Sequence, residues 1–224
     1  MKLDAKGLWF IVIAAFSSAF AQAQIPAPVG DEDIQSWNDV QLTVPMAKKF
    51  DFFIQTTARF TRNVSRFNEG RFGLGYVWKP NKSLSASPSY TYIKARNSAG
   101  RFSGEHRLGL RGTYKFPIRS FGLSHRSAFE YRLRRPLNSW RYRPSLTFEK
   151  DISKIIPETK VFVTEEVFYD SLLKKFSRNR FSVGINKTLT ETLSVDIYYL
   201  RQNDGFSRPG DLNVIGTSWK IKIK

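Results

Sequence analysis

The sequence predicts an all-β protein, a single antiparallel up-and-down transmembrane β-barrel of 10 or 12 strands. Three observations carry that prediction. Long runs alternate residue by residue between apolar and polar side chains. The chain opens with the features of an export signal. Aromatic residues make up 15% of the sequence, while cysteine is absent. Side chains on a strand point to opposite faces with period two, so an alternating run offers one face to hydrocarbon and the other to water. Only alternate residues of a barrel meet lipid, which reconciles membrane crossing with a mean hydropathy of −0.37.

Lys2 and Lys6 precede an apolar run from Gly7 to Phe20, and Ala21-Gln22-Ala23 forms a small-x-small cleavage site. That run is shorter than the roughly 20 residues a membrane helix needs, so residues 1–23 are expected to be a cleaved signal peptide. Residues 24–35 form a Pro-containing leader, and residues 36–224 the barrel. Without cysteine there are no disulfides, thiolate metal sites or lipoprotein anchor, and strand pairing must supply the stability.

Eleven stretches read as strands: 36–45, 49–62, 66–79, 83–95, 102–116, 119–134, 139–150, 159–170, 176–188, 191–203 and 212–224. In the second, Asp51, Gln55, Thr57 and Arg59 alternate with apolar neighbours. In the third, Phe72, Leu74, Tyr76 and Trp78 alternate with Arg71, Gly73 and Gly75. His106, Leu108, Leu110 and Tyr114 alternate with Glu105, Arg107, Gly109, Arg111 and Thr113 in the fifth. The tenth sets Leu193, Val195, Ile197 and Tyr199 against Ser194, Asp196 and Tyr198. Many runs reach about ten residues or more, against 5–6 for a globular strand, which weighs against a soluble β-sandwich. Tight connections are read after odd strands and longer polar ones after even strands, as expected for periplasmic turns and outer loops. Bacterial single-chain barrels have even strand numbers. The count therefore predicts either a missed strand near Asp31 to Trp37 or a false one at 159–170, where Glu165 and Glu166 break the alternation; 12 strands is preferred.

The formal net charge is +17. Export disfavours nucleic acid as the partner, so outer-membrane lipid, lipopolysaccharide and anionic solutes are expected, with the barrel-assembly machinery during insertion. Location is accordingly the bacterial outer membrane. No cofactor or metal is expected, and the sequence does not define the oligomeric state.

The polar parity places Arg59, Arg71, Arg107, Arg111, Arg126, Arg132, Arg141, Arg143 and Arg180 in the lumen. The acids assigned there are Asp51, Glu105, Glu130, Glu149 and Asp196. A basic lumen favours anions through its field and through bidentate guanidinium contacts. Arg62, Arg66, Arg96, Arg101, Arg178 and Arg208 fall at or beside the longer connections. The expected function is thus non-enzymatic: a small anion-biased pore, or an envelope protein binding anionic lipid and lipopolysaccharide groups. The alternative is a lipid-modifying hydrolase using His125 and Ser127, which lie two apart on the lipid-facing parity, so that imidazole could activate hydroxyl. This pair resembles the His-x-Ser of outer-membrane barrel lipid hydrolases, but the sequence offers no third group to orient His125.

Trp140-Arg141-Tyr142-Arg143-Pro144, then Glu165-Glu166-Val167-Phe168-Tyr169-Asp170, Arg178-Asn179-Arg180, Gly184 and Tyr198-Tyr199-Leu200-Arg201-Gln202 follow one another at defined spacings. In that order they resemble the domain-of-unknown-function 2490 family of bacterial outer-membrane proteins. The resemblance implies a barrel and an envelope location, and no catalytic residues.

Overall fold

The structure, a computed structural model, describes residues 32–97 and 99–223. The expected signal peptide and residues 24–31 of the leader lie outside the described residues. The elements in chain order are β1 (Glu32–Ala47), β2 (Phe50–Thr61), β3 (Arg66–Trp78), β4 (Leu84–Arg96), β5 (Phe102–Lys115), β6 (Gly122–Leu133), β7 (Ser139–Asp151), β8 (Thr159–Asp170), β9 (Lys175–Thr190), β10 (Leu193–Asp204) and β11 (Asp211–Lys222). They form one closed barrel in which each strand pairs with its neighbour in sequence and β1 pairs with β11.

Eleven strands close this barrel, not 10 or 12. An even number is required only when every pair is antiparallel. Here the β1–β11 seam is parallel, from Glu32 opposite Asp211 to Thr43 opposite Lys222. All the other pairs are antiparallel. The described ends of the chain therefore leave from opposite rims. The doubtful stretch 159–170 is the full strand β8, and the residues near Asp31 to Trp37 extend β1 rather than adding a strand. β1 begins at Glu32, so residues 32–35, read as leader, are part of the barrel wall.

The rim where β1 begins is called upper here. Its connections (62–65, 97–101, 134–138, 171–174 and 205–210) run four to six residues. The lower rim has two-residue turns at 48–49 and 191–192, but also 79–83, 116–121 and 152–158. The expected contrast between short and long connections is absent, so loop length does not orient the barrel.

The outer face is apolar. Phe72, Leu74, Tyr76, Leu108, Leu110, Phe129, Tyr131, Val183, Ile185, Ile197, Tyr199 and Ile215 are all exposed on it. Aromatic chains gird its upper part: Phe129, Trp140, Tyr169 and Phe176 follow one another at ring spacings of 5.5, 5.4 and 5.6 Å. Such belts suit a membrane–water boundary, where an apolar ring body and a polar edge are both satisfied.

Inside, one wall is apolar. Trp37, Leu200, Leu212 and Val214 form a buried cluster, joined by Tyr198. Glycines let rings lie flat on the inner wall. A Cβ at Gly216 would stand 2.2–2.5 Å from the Tyr198 ring, and one at Gly184 would be 2.8 Å from Phe162. Phe53 likewise occupies the space over Gly75. These rings narrow the interior, as expected of a barrel between the filled eight-stranded and the open porin sizes.

Candidate functional site

The remaining inner wall is an arginine–carboxylate lattice, and it lines two cavities. The upper one, about 1330 Å³, contains Glu69, Glu105, Arg132, Arg141, Asp170 and Arg178 among its lining residues. The lower one, about 300 Å³, is lined by Trp37, Gln55, Arg111, Arg126 and Tyr198 among others. Arg59, Arg71, Arg107, Glu130 and Arg143 line both. They form the waist.

Period-two geometry brings these charges together, because cross-strand partners on one face stand side by side. Glu69 takes Arg71 at 2.5 Å and Arg59 at 3.4 Å. Arg107 spans Glu105 at 2.6 Å and Glu130 at 3.1 Å. Arg143 spans Glu130 at 2.5 Å and Glu166 at 2.9 Å. Glu166 also faces Arg126 at 2.7 Å and Arg180 at 3.9 Å. Arg132 joins Glu105 at 2.7 Å to Asp170, which holds Arg141 at 2.7 Å. Arg178 closes on Asp204. Arg59 and Arg180 also lie over the Trp37 ring, at 3.7 and 4.8 Å from its centroid. Arg143, Arg178 and Arg180 surround Phe168. Aromatic faces thereby stabilise several guanidiniums beyond what the carboxylates provide.

The lattice is not neutral. Ten guanidiniums, those just named plus Arg111, meet seven carboxylates, counting Asp39 at the lower cavity, and an excess of three positive charges results. Arg111 makes no ion pair among the described residues and stays solvent-accessible in the lower cavity. The buried Nε atoms of Arg59, Arg126 and Arg143 have no acceptor. The uncompensated guanidinium of Arg111 is what an entering anion would meet. Above the upper cavity, Arg134 is held below the ordinary guanidinium value by burial and then by Arg132, against Glu105 and Asp170.

Every arginine assigned to the lumen by parity lines one or both cavities. Glu105 and Glu130 do so too. Glu149 does not: it is exposed near the lower rim, beside Gly122, and joins no part of the lattice. Asp51 and Asp196 sit low in the barrel, paired with Lys79 and Lys220. The sequence reading missed Asp39, Glu69, Asp170 and Asp204 as inner acids, although Glu69 shares the parity of Arg71 and was legible from it. Glu166 is the inward member of its pair and meets Arg143 and Arg180. Glu165 points outward at the middle of β8. It is tolerated there because it is 6% exposed and accepts the Asn179 side-chain amide.

His125 and Ser127 are on the outer face as expected, with His125 Nε2 and Ser127 Oγ 3.1 Å apart. Ser127 Oγ is also 3.0 Å from the Tyr142 hydroxyl. Among the described residues no carboxylate or amide hydrogen-bonds to His125. His106, on the same face, is hydrogen-bonded to Tyr90 at 2.7 Å. The described residues contain no group of His, Cys, Asp and Glu able to hold a metal ion.

Two solved structures resemble the fold distantly. One is a KdgM porin, 13% identical, covering 76% of this chain and 90% of its own, with a TM-score of 0.48. The other is an anion-selective porin from Comamonas acidovorans, 12% identical over 78% of this chain, with a TM-score of 0.40. The chain spans about half, 54%, of that second protein. At these scores neither likeness carries an argument about function. No curated protein matches the sequence. The family model described as "Protein of unknown function (DUF2490)" matches residues 34–213, nearly the whole barrel, and the chain belongs to that family.

Proposed function

We propose that the protein is an outer-membrane barrel whose basic interior admits small anionic solutes from the upper rim and passes them selectively through a narrow waist. The observation that carries this reading is the excess of guanidinium over carboxylate around both cavities. Fixed positive charge in a low-dielectric wall concentrates anions and repels cations, and the paired carboxylates keep binding weak enough for release. The apolar exterior with its aromatic belts supports the membrane location.

Planar-bilayer recording of the refolded protein across a salt gradient tests it. Steady conductance with an anion-biased reversal potential is expected. Arg111→Gln should move that potential towards zero with little loss of stability, because Arg111 has no ion-pair partner to strand. Reproducible silence from verified folded barrels would sink the pore.

A second reading rests on the hydrogen-bonded His125–Ser127 pair on the apolar exterior, where acyl chains arrive sideways. It makes the protein a lipid hydrolase, with Ser127 as nucleophile and His125 as base. Its test is the envelope lipid profile of cells carrying Ser127→Ala. A change in acylated lipids relative to wild type is required, and an unchanged profile removes the enzyme.

A further inference from the structure

A groove on the outer wall combines two features that ask for one ligand. Between β2 and β5, near the upper rim, the outer face is notched. The notch measures about 420 Å³; Phe67, Gly70, Phe72, Tyr92, Lys94 and Phe102 line it, and Thr57 and Arg71 of the inner wall also border it. Its floor is Gly70, which pairs with Ala58 on one side and Lys94 on the other. At Gly75, Gly184 and Gly216 an inner ring or a backbone oxygen occupies the place of a Cβ. At Gly70 the nearest neighbour is Phe67 Cζ at 3.3 Å, and the backbone does not need positive φ. Glycine inside a strand weakens it. Here the backbone conformation does not call for it; it leaves room for the Phe67 ring and keeps the notch beside that ring open. A bulge at the same level turns Phe67 outward beside Phe60 and so builds one wall.

The second feature is charge. Arg66, Lys94 and Arg96 crown the notch and make no ion pair among the described residues, while Arg62, next to them, has the Asp33 carboxylate on its backbone N–H at 3.1 Å. Arg96 is held rigidly: its Nε donates to the Phe67 carbonyl at 3.1 Å and its Nη1 to the Gly100 carbonyl at 2.8 Å. Its guanidinium lies 4.2 Å from the Phe102 ring centroid, and Lys94 also sits over that ring. Arg66 stands in the repulsive field of both Arg62 and Arg96. Arg66, Lys94 and Arg96, gathered without an ion-pair partner, are stabilised by an arriving anion, and rigid guanidinium favours phosphate.

We infer that this groove is a binding site for a phosphorylated, acylated glycolipid of the lipid A type: an acyl chain lies in the aromatic notch over Gly70 while its phosphates meet Arg66, Lys94 and Arg96. Three cations around one lip exceed what a single phosphodiester headgroup needs, which is why a bisphosphorylated lipid is chosen over a simple phospholipid. The inference rests on the reading that the barrel spans the outer membrane, but not on the lumen's being a pore.

The test is native mass spectrometry of the full-length barrel in detergent, after insertion into vesicles has been verified. The probes are bisphosphorylated lipid A, its dephosphorylated form, and phosphatidylglycerol. Retention of bisphosphorylated lipid A is expected, weakened about tenfold or more by removal of the phosphates or by Arg66→Gln/Arg96→Gln. Gly70→Leu, which fills the notch with every charge in place, should weaken it similarly, whereas Arg111→Gln in the lumen should leave it unchanged. Equal retention of the dephosphorylated lipid, or indifference to both groove variants, would overturn the site. Equal retention of phosphatidylglycerol would overturn the assignment to lipid A. Failure to insert into vesicles would take the membrane reading down as well, and is seen separately from any loss of lipid.

Discussion

Glu166→Gln is expected to be the most damaging single change in the barrel and, at the same time, to make its interior more anion-selective. Glu166 is 6% exposed and serves three arginines from three other strands: Arg126, Arg143 and Arg180. Neutralising it leaves those guanidiniums facing one another in a confined space. Removing one partner of a buried ion pair costs about 3–5 kcal/mol. The lower end applies here, because Arg143 keeps Glu130 and the cavities beside the waist admit water. The measurement is the urea midpoint of the heat-modifiable band shift, with bilayer recording of the surviving folded protein. Arg143→Gln in the Glu166→Gln background should cost less than in the wild type, since the two charges then vanish together. If the single Glu166 variant unfolds like the wild type, the lattice is not what holds the interior.

Gly216→Ala should be the largest effect of the smallest change. A methyl at Gly216 would sit 2.2–2.5 Å from atoms of the Tyr198 ring, closer than carbon atoms can approach. The ring cannot simply slide, because it packs against Trp37, Leu200, Leu212 and Val214 on the apolar wall. Overpacking of this kind costs about 1–3 kcal/mol. The same denaturation assay reads it. Tyr198→Ala in the Gly216→Ala background should cost less than alone, because the clash and the ring are removed together. Additive costs would show that the ring is free to move away.

The lumen arginines were legible because parity is local. Two residues apart on a strand means the same face wherever that strand ends up. The same rule accounts for the exposed apolar exterior and for His125 and Ser127 sharing it. It did not reveal the fate of Glu165 and Glu166. Two adjacent carboxylates look like a broken strand when only one water-facing side is assumed. In the folded barrel each face supplies its own solution, arginines inside and the Asn179 amide outside. Asp204 was missed because it ends β10, where the alternating run gives way to a connection. The notch over Gly70 was invisible for another reason: its walls come from three strands, and a lone glycine in a strand carries no sign of what its missing side chain leaves open.

The sequence by itself determined the eleven strand stretches, the two faces of each and the basic character of the inner one, because period-two alternation is written within a strand. Only the tertiary structure decided that the number stays odd, since the parallel seam joins Glu32 to Asp211 across almost the whole described chain. It alone also decided which carboxylate meets which arginine, and that rings lie over Gly184 and Gly216 to narrow the lumen. Those are properties of inter-strand register and closure. They arise when distant segments choose their partners, a choice no local pattern encodes.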